Sequence, residues 1–281
     1  MITSTEEESL LQGLTAAVHE AALAVLSVFN SKDFKVSSKG EAGPLTTADL
    51  LANSILETKL SQLLPDAGWL SEESVDDARR LSRRFLWVVD PIDGTREFVE
   101  GLTQFSVSAG LCDNGLPLMG AVAMPAENLI VYGSKNLGVK KAPLNALTRI
   151  EDCSLSGRKE LEGCVMLVSQ TEDKRGTFDS LKQDFDIRPM GSIARKLALL
   201  ASGEGDLVVS LFPKNDWDIC GGVAMILSHP DSNVIDLRTQ AQRLYNQADP
   251  KSFGICGGNS GLVEAFRRYF LDKNLTLREK Y

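Results

Sequence analysis

Leu10, Leu14, Val18, Ala21, Val25 and Val28 recur in steps of three and four behind an acidic start at Glu6, Glu7 and Glu8. Apolar residues at that spacing share one face of a helix, and acids in the first turn face the positive end of its dipole. An amphipathic helix is therefore predicted over about 6–29. After a polar, glycine-containing link and the segment Leu45-Thr46-Thr47-Ala48-Asp49, the pattern returns at Leu51, Ile55, Leu60 and Leu64 and stops at Pro65. Proline lacks the amide hydrogen a helix needs, so a second helix ends there.

Residues 85–89 form a short apolar run that breaks off at Asp90-Pro91, and further β-type segments follow at 105–111, 118–124 and 129–132. They predict a meandering sheet with the two helices on one side. The pattern loosens over about 135–159, after which strands expected at 165–169 and 207–211 alternate with helices over 191–201, 219–227 and 260–271. Such alternation marks an α/β unit. The chain thus reads as an α+β half, 1–145, and an α/β half, 146–281, meeting near Asn145, without internal repeats.

Composition narrows the choice of partner. A chain of 281 residues can bury a large core, and 43% hydrophobic with 24% charged residues is an ordinary globular profile. A net charge of -8 argues against a polymeric nucleic-acid partner, which needs a basic face to displace counterions, and still allows a small phosphorylated substrate held by metal ions. The basic cluster Arg79, Arg80, Arg83 and Arg84 follows Asp76 and Asp77 and reads as a solvated face. Five scattered cysteines without a C-x-x-C pair give no disulfide framework or zinc cluster, which fits the reducing cytoplasm. The most apolar early stretch, 21–29, is shorter than a membrane span and the acidic start is unlike a signal peptide, so no membrane partner is expected. A homodimer is compatible with the sequence, and nothing in the sequence specifies one.

The candidate chemistry centres on Asp90-Pro91-Ile92-Asp93-Gly94-Thr95. Two carboxylates three residues apart at a strand end can converge on one side of a turn that Pro91 stiffens, and Gly94 lets the backbone approach a ligand. Magnesium takes hard oxygen ligands from a few carboxylates, water and substrate phosphate. Taken alone such a segment is most often a plain turn, because these residue types favour turns for local reasons. Its company decides: Ser71-Glu72-Glu73-Ser74 upstream, and Trp217-Asp218 with Gly221-Gly222 downstream. Singly, the glutamates read as solvated helix-start charges and Asp218 as a helix N-cap. His19 and His229 are the only histidines; the first sits inside a helix pattern and the second precedes Pro230 at a helix end, so neither suggests a catalytic base. Cys112 and Cys220 lack a C-x5-R loop and read as apolar packing.

The ordered set Asp49, Glu72-Glu73, D-P-I-D-G-T and W-D-x-x-G-G resembles the metal-binding, lithium-sensitivity signature of the inositol monophosphatase-like superfamily, over essentially the whole chain. That group includes fructose-1,6-bisphosphatases and bisphosphate nucleotidases. Residues 68–74 and 87–98 look particularly like the CysQ-type 3'(2'),5'-bisphosphate nucleotidases. The resemblance implies a layered αβαβα sandwich, the sugar-phosphatase fold of that superfamily, with an α+β and an α/β part and metals at their junction. It also implies two or three Mg2+ ions: Glu72, Asp90 and the Ile92 carbonyl hold one, and Asp90, Asp93 and Asp218 a second, with Glu73 behind them. Thr95, bonded to Asp49, would orient and deprotonate the attacking water, and the Gly94 and Thr95 amides would meet the phosphate. Paired divalent ions can activate water and clamp an in-line displacement, so no nucleophilic side chain is required.

Gly191-Ser192-Ile193-Ala194-Arg195-Lys196 resembles the G-S-x-x-x-K segment of bisphosphate nucleotidases, which implies that Ser192 and Lys196 approach the distal phosphate and nucleoside. A plain helix start with Lys196 on the solvent side gives the same letters. Inositol monophosphatases carry a glutamate six residues before the tryptophan of the W-D motif, and this chain has Leu211 there. The missing acceptor disfavours inositol hydroxyls by about 1 to 3 kcal/mol. The expected activity is Mg2+-dependent release of the 3'-phosphate from 3'-phosphoadenosine 5'-phosphate. An inositol-1-phosphatase or broad sugar phosphatase is the first rival, and a regulatory binder that has lost catalysis the second.

Overall fold

The computed structural model describes residues 2–40 and 43–279. Helix α1 (Ser4–Ser31) starts at Thr3, whose hydroxyl accepts from the Glu6 amide while the Glu6 carboxylate takes the Thr3 amide at 2.7 Å. This reciprocal cap satisfies two of the orphan donors at a helix start. By length and composition α1 could cross a membrane. Its apolar stripe, including Leu14, Val18, Ala21 and Val25, is instead fully buried in the protein core. The strand pair β1 (Val36–Ser38) and β2 (Pro44–Thr46) leads into α2 (Thr47–Leu63), which packs along α1.

These two helices cover one face of a seven-stranded sheet ordered β3 (Gly68–Ser71), β4 (Phe85–Asp93), β5 (Ser106–Asp113), β6 (Leu116–Met124), β7 (Leu129–Ser134), β8 (Gly138–Pro143) and β9 (Glu151–Cys153). Every pairing is antiparallel except β3 with β4. The one-turn helix α3 (Thr95–Val99) follows β4. A second sheet is ordered β11 (Asp186–Met190), β10 (Val165–Ser169), β12 (Leu207–Asn215), β14 (Lys251–Asn259) and β13 (Ser232–Asp236). Helices α5 (Ile193–Ala201) and α6 (Asp216–Ile226) lie between the sheets, sharing a core with Leu86, Val88, Val122, Val208 and Ile255. Helix α7 (Ser260–Asp272) closes the outer face of the second sheet through Leu262, Val263 and Phe266, and the short α4 (Gln170–Lys174) follows β10. The layers therefore run α, β, α, β, α.

Several expectations change in three dimensions. The apolar run from Phe85 does not stop at Asp90-Pro91: β4 continues to Asp93, with a register shift against β5 between Asp90 and Asp93. That irregularity accommodates Pro91, which cannot donate to a ladder. The loosely patterned segment contains β8 and β9, so the first sheet takes its last strand from beyond residue 145. The strands β11, β13 and β14 were not expected either; β14 reads Lys-Ser-Phe-Gly-Ile-Cys-Gly-Gly-Asn and is paired on both sides, by β12 and β13. Arg80 is not solvated: it is 2% exposed, forks onto Asp76 and donates to Asn246 Oδ1 and the Gln247 carbonyl. His19 and His229 each bond a single backbone carbonyl, of Leu144 and Ala201.

Helix α6 sits directly on the first sheet. A Cβ on Gly221 would stand 2.8 Å from the Ala109 carbonyl oxygen, and one on Gly120 would overlap the Gly221 carbonyl at 2.0 Å. Glycine at 221 is thus what permits the contact that places the N-terminus of α6 against β5 and β6.

Candidate active site

A cleft of about 370 Å³ opens where β4, α3, α5, α4 and the start of α6 converge, and Glu72, Asp90, Ile92, Asp93, Gly94, Thr95, Ser192, Lys196 and Asp218 all line it. A second cavity of about 230 Å³ behind α6 contains none of these residues. The first cleft is therefore the place where the sequence-selected groups meet. Asp49 stands directly behind it, fully buried.

Each carboxylate is held by a different element. Asp49 occupies the third position of α2, where its Oδ2 accepts from the Thr46 amide at 2.8 Å and the Thr46 hydroxyl at 2.6 Å. Its Oδ1 remains for the Thr95 hydroxyl at 3.1 Å, whose single proton also has the Ile92 carbonyl within 2.9 Å. Gly94 has φ +94°, and a Cβ there would also meet the Gln104 carbonyl at 3.1 Å, so the turn that presents Thr95 requires glycine. Asp218 is the third residue of α6 rather than its N-cap: Asn215 caps the helix, and Asp218 Oδ2 accepts the Asn215 amide at 2.7 Å. Arg243 bonds Asp216, the first residue of the same helix, at 2.8 Å.

Crowded acids dominate the electrostatics. Burial pushes the Asp90 carboxyl well above the ordinary carboxylate range, and the charges of Glu72, Asp93, Asp218 and Asp49 push it further. Its Oδ1 has no hydrogen-bond partner among the described residues. Asp218 is driven up likewise, by enclosure in protein first and then by Asp93 and Glu72, against weaker pulls from the Asn215 amide and Lys214. Glu72 and Glu73 are raised by burial despite the Lys39 ammonium, which bridges them at 2.6 and 2.7 Å. Burial alone would depress Lys39, but its two glutamate partners outweigh that and hold its pKa above the ordinary lysine value.

This donor set fits magnesium: all oxygen, mostly carboxylate, with one buried oxygen lacking a partner and a protein ammonium already drawn to two of the acids. Among the described residues no three acidic, histidine or cysteine groups yet stand close enough together to grip an ion. The physical reason is visible in their partners. Lys39 draws Glu72 aside, and Asp93 Oδ2 is occupied by the Ser192 hydroxyl and the Ala194 amide, both at 2.6 Å. Closing on a cation requires those side chains to rotate.

The second half supplies the other wall. Ser192 has φ 50° and caps α5; its hydroxyl donates to Asp93 and accepts from the Arg195 amide and from Ser106. Lys196 lines the cleft, but its ammonium donates to the carbonyls of Met190, Gly191 and Ser192 at 3.2, 3.4 and 2.8 Å. It is 2% exposed, and burial, aided by nearby Lys214, lowers its pKa to about 8 against the pull of Asp93, Glu172 and Glu97. Leu211 does not face the cleft at all. Strand alternation puts it in the outer core with Leu207 and Val209, and its amide donates to Glu172. The polar residues that β12 does present to the cleft are Lys214 and Asn215. Sequence reasoning missed Lys39, Arg175 and Lys214, because isolated basic residues carry no motif.

The profile of the Inositol monophosphatase family matches residues 6–251. A 3'(2'),5'-bisphosphate nucleotidase CysQ of Escherichia coli (strain K12) is 27% identical over 224 residues, covering 77% of this chain and 86% of that protein. A fructose-1,6-bisphosphatase/inositol-1-monophosphatase of Thermotoga maritima is 30% identical over 184 residues, covering 65% and 67%. Among solved structures, the extragenic suppressor protein SuhB from Bartonella henselae superposes with a TM-score of 0.76 at 24% identity, over 92% of this chain and 96% of that one.

Proposed function

The chain belongs to the inositol monophosphatase family of phosphatases, and from that premise we propose that it is a Mg2+-dependent phosphomonoesterase releasing the 3'-phosphate of 3'-phosphoadenosine 5'-phosphate. One observation carries the substrate choice: the cleft that Glu72, Asp90, Asp93 and Asp218 line is also lined by Arg175, Lys196 and Lys214. Carboxylates that gather metal suit the phosphate to be cleaved, and basic side chains in the same cleft suit a second anionic group on the same molecule.

Glu72, Asp90 and the Ile92 carbonyl would hold one ion, and Asp90, Asp93 and Asp218 another. When bound, the ions supply charge neutralisation and a lowered pKa for water. Thr95 can take a proton from the attacking water only by passing its own to an acceptor, and Asp49 Oδ1 is that acceptor. Asp49 is prevented from turning away by the Thr46 amide and hydroxyl on its other oxygen. The Gly94 and Thr95 amides face the phosphate that the water attacks. The bond from phosphorus to the 3'-oxygen breaks, the water oxygen takes its place, and the freed 3'-oxygen takes a proton from solvent water and leaves as a hydroxyl. A binder that had lost catalysis has no use for the Thr95–Asp49 pair. A cytoplasmic location goes with the free thiols.

A second reading, hydrolysis of inositol or sugar phosphates, is favoured by the Thermotoga relative. A competition assay offering 3'-phosphoadenosine 5'-phosphate and inositol-1-phosphate at equal concentrations with Mg2+ separates the two. Preference for the nucleotide is expected, and preference for inositol-1-phosphate would sink the nucleotidase reading.

A further inference from the structure

Four basic side chains line the cleft: Arg96 follows directly on Thr95, and the other three, Arg175, Lys196 and Lys214, differ in how far their donors are already engaged. The Lys196 ammonium has three protons and three carbonyl partners, all within its own turn. The Lys214 ammonium faces buried Glu172 at 3.4 Å and the Pro213 carbonyl at 3.3 Å, while Glu172 is fixed by the Ser210 hydroxyl and the Leu211 amide. Arg175 is different. It ends the single turn of α4, is exposed, and lines the cleft. Among the described residues its guanidinium has one side-chain partner, the ring of Phe212 on β12, 5.6 Å from the centroid.

A guanidinium resting on an aromatic face keeps its planar fork oriented while its N–H groups stay open. A fork of that kind pairs with phosphate through two parallel charge-assisted bonds, which a point-like ammonium cannot reproduce.

We propose that Arg175 is the residue that reads the second phosphate of the substrate, and that Lys196 acts instead as a positioning residue for the 190–192 turn. The inference rests on the bisphosphate reading above and names the group that enforces it. Lys196 bonds the Ser192 carbonyl, and the Ser192 hydroxyl bonds Asp93, so the engaged lysine ties the start of α5 to a site carboxylate.

The test compares kcat/KM for 3'-phosphoadenosine 5'-phosphate with that for 3'-AMP, which has the same phosphate to be cleaved and lacks the second one. Arg175→Ala should lower the bisphosphate value roughly ten- to a hundredfold, chiefly through KM, and leave 3'-AMP within about twofold. Arg175→Lys should restore part of the loss. Because Arg175 is exposed, both variants should melt with the wild type. Equal losses on the two substrates would make Arg175 a structural residue and overturn the inference. A wild-type preference for the bisphosphate that Arg175→Ala leaves intact overturns the Arg175 assignment alone, whereas equal wild-type values for both substrates overturn it together with the bisphosphate reading.

Discussion

Replacing Asp90 with asparagine should make the metal-free protein more stable while destroying its activity. Asp90 is 1% exposed, one of its oxygens is unpaired among the described residues, and the charges bearing on it are all acidic: Glu72, Asp93, Asp218 and Asp49. At an effective dielectric near 20, one like charge at ~8 Å costs about 2 kcal/mol, so two ionised neighbours already make charging Asp90 expensive. The group escapes by keeping its proton. Holding a proton at pH 7 on a carboxyl that titrates near ~3.9 when unfolded costs at most ~4 kcal/mol, at about 1.4 kcal/mol per unit. Asparagine keeps the shape without the charge and should recover ~1–3 kcal/mol of that, a rise in melting temperature of about 5 °C for a chain of this size. The folded state binds more protons at Asp90 than the unfolded state does, so the group's contribution to stability falls as pH rises from ~3.9 through its elevated folded value. The gap between Asp90→Asn and wild type in EDTA should therefore narrow as the pH is lowered toward ~4. Melting curves in EDTA and phosphate release in Mg2+ are the two assays. A variant that melts below wild type in EDTA would show that the charge of Asp90 is not repelled, and near-normal turnover would remove Asp90 from the ligand set.

Magnesium at about a hundred times its dissociation constant should stabilise the wild type by ~2.7 kcal/mol, visible as a melting shift of about 5–10 °C that Asp218→Asn loses; an unchanged shift in that variant would count against Asp218 as a ligand. Lithium should inhibit at subsaturating Mg2+, and indifference to lithium would mean that the second metal position is built differently. Lys196→Met should strand the carbonyls of Met190, Gly191 and Ser192, costing about 1–3 kcal/mol and lowering turnover of 3'-phosphoadenosine 5'-phosphate and 3'-AMP alike; a loss confined to the bisphosphate would return Lys196 to substrate contact. Gly221→Ala places a Cβ 2.8 Å from the Ala109 carbonyl and should cost about 1–3 kcal/mol while raising the Mg2+ requirement, as α6 lifts Asp218 away; unchanged melting would mean that the helix can shift freely.

What was legible in the sequence is what local periodicity and local motifs encode. The α1 stripe, the strand at 165–169 and the helix beginning at Ser260 follow from residue spacing alone, because one element's buried face repeats at its own period. The acids of the site were legible too, since D-P-I-D-G-T needs a glycine at φ +94° and W-D needs a helix start, and both leave marks in the letters. Tertiary structure alone decided the rest. Strand β14 is held by neighbours on both sides rather than by its own glycine-rich sequence, and Arg80, one of four arginines that look solvated, is buried because Asp76, the Asn246 side chain and the Gln247 carbonyl close over it. Leu211 and Lys214 lie three residues apart on one strand and so face opposite ways, but only the packing of the layers makes the face of Leu207, Val209 and Leu211 the outer core while Lys214 lines the cleft. Lys196 finds its carbonyls four to six residues back, whereas the setting of Arg175 depends on Phe212 on β12, far along the chain. No pattern along the sequence carries that second contact, because it is created only when the end of α4 packs against β12.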